Sequence, residues 1–291
     1  MSAFHTAGII GKQGDDARVA ATTGRLADHL GRLGIETLFE ANTAAAVGAG
    51  EGLALKHLGE RCDLIIVVGG DGTFLHAARE MADLDVALVG INLGRLGFLV
   101  DVSPDNIERR LDQILNGEYD EDRRTLLDVR CNGFSGRALN DIVLHKWNSA
   151  RMIELETYVD GRFVNAQRSD GIIVATPTGS TAYALSGGGP LIHPSLDALL
   201  LVPICPHTLS NRPLVIAGDS QIEFRICDFE ADQVRLTCDG QVDMPLADSA
   251  PISVERSPQR ARLLHPRGHD HYRILRAKLG WGGHTRPDQP C

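Results

Sequence analysis

The chain has 291 residues, a net charge of −9, and 43% hydrophobic against 23% charged residues. That length suffices for one large or two ordinary domains with real cores, and the composition is that of a soluble globular protein. The acidic balance argues against nucleic acid or an anionic membrane as a partner, and no apolar run approaches the roughly 18–20 residues that span a bilayer.

The opening residues MSAFHTAGIIGKQG lack a basic stretch followed by a long apolar one. No signal peptide is expected, and a cytoplasmic location is predicted. Residues 4–11, FHTAGIIG, read as a strand. GKQGDD then leads into the helix ARVAATTGRLADHLGRLG, with Val19, Leu26, Leu30 and Leu33 near helical spacing and Gly34 as the stop. IETLFE is a second strand, a helix is expected around 50–60, and DLIIVVGG is a third strand. GTFLHAAREMADLD follows as a helix and VALVGINLG as a strand. Strands alternating with helices predict a parallel sheet covered on both faces. Over 103–116 the spacing predicts a helix, with Ser103 as N-cap, Pro104 at the first position and Gly117 past the end.

The texture changes near residue 120. From 124 to 260 strand signals dominate: RTLLDVRC, RALNDIVLH, MIELETYVDGRFV, DGIIVATP, PLVIAG, QIEFRICD, QVRLTCDGQ and PISVERS. Asp160-Gly161 and Asp239-Gly240 have the chemistry of tight hairpin turns. The expected fold is an α/β Rossmann-like N-terminal domain over 1–123 plus a mostly-β C-terminal domain over 124–261. A C-terminal helix over 262–281 is expected to return to the first domain, and 282–291 reads as a loose tail. The six cysteines show no CxxC pair, which predicts reduced thiols. His265, His269 and His271 lack partners at ligand spacing, so no metal site is expected there.

Two glycine-rich stretches carry the chemistry. In VVGGDGTFL the glycines let a backbone approach phosphate at the end of a strand, and a helix starting near Thr73 presents N–H groups to an anion. Asp71 needs a separate account. It is either a cap or turn residue, or a functional carboxylate that accepts the proton of a hydroxyl attacking a phosphoryl group or helps place Mg²⁺. The second stretch, ATPTGSTAYALSGGGPLIHP, interleaves Thr176, Thr178, Ser180, Thr181, Tyr183 and Ser186 with glycines. Hydroxyls and bare amides suit polyphosphate and ribose recognition, and a loop rich in turn residues is the plainer reading.

Together with GINLGRLGFL, LNDIVLH, CPHTLSNRP, DGQ and the terminal LRAKLGW, these stretches closely resemble the NAD kinase family, in order, from residue 64 to 281. The resemblance implies transfer of the ATP γ-phosphoryl group to the 2′-hydroxyl of the adenosine ribose of NAD, giving NADP. It implies Mg²⁺ or another divalent cation with ATP, and a homo-oligomer, dimer or tetramer, formed through the β domain that also binds NAD. Carried over by position, Asp71 is the expected proton acceptor and Gly72 supports the ligand beside it. His76, one helical turn on, faces the nucleotide. Asn140 and Asp141 match the polar pair that contacts NAD, and Arg151 and Arg168 match basic positions of that site. Asp170, the run Thr181, Ala182, Tyr183, Ala184, Leu185 and Ser186, and Gln241 match further NAD contacts. The segment GKQGDD receives no role. Two other classes share features with this reading. Lipid kinases share GGDGT but need a route to a membrane, and a non-catalytic NAD(H) sensor would use the same pocket.

Overall fold

The fold is described from a computed structural model, over residues 4–14, 16–94, 96–100, 102–148, 150–227, 233–246 and 248–281. The expected tail over 282–291 lies outside the described residues. Contacts divide the chain into two compact units, residues 1–123 with 262–291, and residues 124–261.

The first unit opens with β1 (Thr6–Gly11), α1 (Ala17–Arg32), β2 (Glu36–Phe39), α2 (Ala41–Val47) and α3 (Leu55–Arg61). It continues with β3 (Leu64–Gly69), α4 (Asp71–Met81), β4 (Ala87–Asn92) and α5 (Ile107–Leu115). Parallel pairing gives the order β2-β1-β3-β4. β3 and β4 are buried throughout and read as unbroken apolar runs because helices cover both faces of a parallel sheet. α1 starts at Asp16, whose carboxylate accepts from the Arg18 N–H, and buries Val19, Leu26 and Leu30. Leu33 lies past its last turn and is half exposed, and Gly34 turns the chain at φ +75°. The helix expected over 103–116 begins as a short 3-10 turn, Pro104–Asn106, before α5.

β5 (Tyr119–Cys131) carries the chain into the second unit, where β6 (Phe134–Ala138) and β7 (Asp141–Lys146) follow. The single strand expected from RALNDIVLH is broken at Leu139-Asn140, because that turn is bound by side chains described below. β8 (Ile153–Val159), β9 (Arg162–Ser169) and β10 (Gly171–Ala175) come next. The TPTGSTAYALS stretch forms a 3-10 turn, Thr178–Thr181, and the four-residue α6 (Tyr183–Ser186). The remaining strands are β11 (Ala198–Ile204), β12 (Leu214–Ala217), β13 (Ile222–Cys227), β14 (Val234–Cys238), β15 (Val242–Pro245) and β16 (Ile252–Pro266). Asp160-Gly161 and Asp239-Gly240 both hold positive φ at the two central positions, as tight hairpins require.

An antiparallel sheet in the order β12-β11-β10-β7-β14-β15 forms one layer of this unit. Its strands alternate. Ile142, Leu144, Ile172, Val174, Leu199 and Leu201 face a core shared with Leu155, Ile222, Phe224, Ile226, Ile252 and Val254. Val143, Ile173, Ala175, Leu200 and Val202 face the other way, onto Ala184 and Ile192. The segment expected as helix over 262–281 begins instead as strand: Arg262 and Leu263 of β16 pair in parallel with Ala87 and Leu88 of β4. Ala261, Leu263 and Leu264 are buried here, with Arg262 half-buried between the first two, as suits a strand inside a sheet. α7 (His271–Leu279) follows, capped by Asp270.

Candidate functional site

In the first unit the strand β3 ends in Gly69-Gly70, and α4 begins on Gly70, which offers no side-chain cap. Asp71 is the first helical residue and is partly exposed. Its carboxylate is not a local cap. Oδ2 accepts from the Phe98 N–H at 3.0 Å, and Oδ1 accepts from the Leu99 and Val100 N–H groups at 3.1 and 3.4 Å. The aspartate among the glycines therefore braces the loop after β4. Gly97 lets that loop come close, since a Cβ there would overlap the Asp71 carboxylate. A carboxylate offers about four lone-pair sites, so Oδ2 keeps room for one further donor. Gly72 is exposed beside it and His76 sits half-buried one turn along α4.

The second unit contains a cleft of about 600 Å³. Asn140, Asp141, His145, Lys146, Trp147, Asp170, Ala182, Tyr183, Thr237, Asp239 and Gly240 are among its lining residues. Its floor is the Leu139-Asn140-Asp141 turn, clamped from two directions. Asp239 Oδ1 accepts from the Asn140 and Asp141 N–H groups at 2.7 and 3.2 Å, and Oδ2 from the Leu139 N–H at 3.0 Å. From the other side the Thr176 hydroxyl donates to the Leu139 carbonyl at 2.6 Å. Gly179 fits against the Asn140 carbonyl, where any Cβ would collide with backbone. Asp170 pairs with Lys146 at 2.7 Å, and the Arg235 guanidinium lies 4.1 Å over the Trp147 ring.

Asp141 is 4% exposed. Burial pushes its carboxyl from 3.8 up to about 7, the negative charge of Asp239 adds to the rise, and the Tyr183 N–H donating to it opposes both. Between those two values the folded chain holds a proton that the unfolded chain has released, so stability falls as pH rises toward 7. Asp141→Asn removes that loss. The variant is expected to gain on the parent by roughly 4 kcal/mol between pH 4 and pH 8. Urea unfolding at the two pH values checks this, and a constant difference would contradict a buried, proton-holding Asp141.

Models of two domains match the chain: the ATP-NAD kinase N-terminal domain over residues 23–119, and the ATP-NAD kinase C-terminal domain over residues 139–266. An NAD kinase of Nitrosococcus oceani is 49% identical over 286 residues, covering 96% of this chain and 97% of its own. The chain belongs to the ATP-NAD kinase family. The NAD kinase of Hahella chejuensis is 47% identical over 97% of both chains. Among solved structures, yeast NADH kinase complexed with NADH aligns with a TM-score of 0.88 at 25% identity, covering 98% of this chain and 90% of that one. An Archaeoglobus fulgidus NAD kinase in complex with ATP aligns with a TM-score of 0.77 at 28% identity, covering 94% and 98%.

Of the residues expected to act in an ATP-NAD kinase, Asn140, Asp141, Asp170, Ala182 and Tyr183 meet in the cleft. Arg151, Arg168, Thr181, Ala184, Leu185, Ser186 and Gln241 are not among its lining residues. Arg168 is exposed and bonded to Glu154 at 2.8 Å, Ala184 is in the core, and Gln241 is exposed just past the β14 turn. The hydroxyls of the TPTGST stretch are engaged within the protein. Ser180 donates to the Pro177 carbonyl, Thr181 donates to the Thr178 carbonyl, and Thr178 accepts from Arg124. These bonds build the loop, the plainer of the two readings, and each hydroxyl keeps capacity to accept a further hydrogen bond. Asp239 as a clamp, and Lys146, His145 and Trp147 as cleft walls, are findings of the structure with no counterpart among the expected residues. The DG turn was visible, but the aspartate's second task was not.

Proposed function

We propose that this protein phosphorylates the 2′-hydroxyl of the adenosine ribose of NAD with ATP, giving NADP. One observation carries the reading: the family match runs through Asp71 in the first unit and through Asn140-Asp141 in the second. In the reaction a bond forms between the ribose O2′ and the γ-phosphorus. The bond from that phosphorus to the bridging oxygen breaks, and its electron pair leaves with ADP. The hydroxyl proton goes to Asp71. A ribose hydroxyl is a very weak acid at neutral pH, so proton transfer accompanies attack rather than preceding it. The lone pair left on Oδ2 by the Phe98 N–H supports that role. Asn140 and Asp141, on the clamped turn, orient the nucleotide in the 600 Å³ cleft, a volume suited to a small-molecule site.

Among the described residues no three His, Cys, Asp or Glu are grouped to hold a metal. We place Mg²⁺, or another divalent cation, on the ATP phosphates, which leaves Asp71 to accept the proton. When bound, the cation neutralises phosphate charge during transfer.

A homo-oligomer in the cytoplasm is part of the proposal. The edge strand β12 exposes Leu214 and Val215, with Leu209 almost wholly exposed before it, and a second copy would cover them. No described helix is long and apolar enough to cross a membrane. The test is NADP formation by purified protein from NAD, ATP and Mg²⁺. Tight NAD binding with no turnover would replace the enzyme by a sensor, and phosphorylation of a lipid alcohol alone would replace it by a lipid kinase.

A further inference from the structure

The GKQG turn after β1 has no part in the reaction described above, yet it stands beside the residues that do. β1 lies between β2 and β3, so the chain leaves it in one direction and returns on the other side. In open α/β sheets ligands collect outside the carboxyl ends of strands at such a point. Lys12 is the first residue past the end of β1. Its N–H donates to the Val68 carbonyl at 2.8 Å, and a Cβ on Gly69 would come 3.3 Å from the Lys12 Cβ. The lysine stem therefore rises directly against the Gly69-Gly70-Asp71 turn.

Among the described residues, two other cations near these loops are engaged. Arg18 holds Asp16 at 2.8 Å and the Leu93 carbonyl at 3.2 Å. The Lys278 ammonium lies 5.5 Å from the Phe98 ring centroid. Lys12 is exposed and makes no side-chain hydrogen bond or ion pair among the described residues; its charge reaches Asp16 only at a distance, as the least of the influences that hold that carboxyl at about 2. It lines a cleft of about 140 Å³ with Gly11, Gln13, Gly14, Asn42 and Thr43. That is below the roughly 300–1,000 Å³ of a site for a whole small molecule. It leaves room for a phosphate-sized group within reach of the ammonium.

We propose that Lys12 binds the phosphate chain of the donor nucleoside triphosphate. This rests on the NAD kinase reading, and it answers a difficulty in that reading. Asp71 sets a negative charge in the turn that must accept polyanionic ATP, and the exposed lysine beside Gly69 offsets it. Lysine suits the task as a point charge that adapts to a moving phosphate, and binding costs it no existing partner.

Lys12→Met is expected to raise KM for ATP by about 10- to 100-fold, the range of a hydrogen bond to a charged group, with KM for NAD and the melting temperature unchanged. Lys12→Arg should recover part of the loss. In the unmodified protein, ATP but not NAD should slow acetylation of Lys12, with exposed Lys56 as the internal reference. An unchanged KM for ATP in Lys12→Met, or acetylation of Lys12 indifferent to ATP, overturns the proposal. If the unmodified protein forms no NADP, the NAD kinase reading has failed by itself, and protection of Lys12 by ATP still judges the lysine.

Discussion

Asp71→Asn is expected to lower kcat by about 10²–10⁴-fold, the contribution of a general base, while NAD binding measured by calorimetry survives. The substitution keeps the shape and removes two things at once. The negative charge that takes the hydroxyl proton is lost. One oxygen also becomes an NH₂ group, yet both oxygens accept backbone N–H groups, from Phe98 on one and Leu99 and Val100 on the other. In either orientation the amide sets a donor against a donor and loosens the loop after β4. Loss of the brace alone leaves the proton-transfer step intact, so it alters KM for ATP and the melting temperature more than the chemistry. A variant with near-normal kcat would take Asp71 out of the reaction and leave it as the loop's anchor.

Asp239→Ala should be the most damaging change in the cleft. It strips the acceptor from three backbone N–H groups in a turn where Leu139 is fully buried and Asp141 nearly so. Each unsatisfied buried donor costs about 1–3 kcal/mol, so the turn will rearrange and KM for NAD should rise at least about 100-fold. KM for ATP should change little. The variant also removes a charge that raises the Asp141 carboxyl, so Asp141 should titrate lower, which carboxyl NMR can follow. Asp239→Asn keeps an oxygen for the Asn140 and Asp141 N–H groups and should be milder. Unaltered NAD kinetics in Asp239→Ala would mean that the turn holds without its clamp.

What the sequence made legible is what local chemistry governs. The unbroken apolar runs of β3 and β4, the Asp-Gly hairpins and the capped α1 each carry their signal within a few residues. α2 gave no such signal. ANTAAAV has no large apolar stripe, and the helix depends on Glu40, which accepts from the Asn42 and Thr43 N–H groups. β11 was passed over as well. Pro203 sits opposite Ile172, beyond Leu201 where the pairing with β12 ends, so the proline that argues against a strand occupies a locally free edge. The candidate site shows the same division. Asn140, Asp141 and Tyr183 were found through resemblance, but the bonds that hold them were not. Asp71 reaches partners 27 to 29 residues away and Asp239 reaches partners 98 to 100 away, and no periodicity encodes such pairings.

The second unit is one continuous stretch, whereas the first is assembled from both ends of the chain. On the ribosome this fixes an order of events. β1 to β4 emerge early, but the strand that pairs with β4 through Arg262 and Leu263 is translated only after the whole second unit. Until then the nascent chain carries an open parallel edge along Ala87 and Leu88, a surface prone to pairing with other chains. A stop codon before residue 262 would leave a complete second unit joined to that bare edge. The resulting defect would show first as aggregation during synthesis, with every residue of the nucleotide sites still in place.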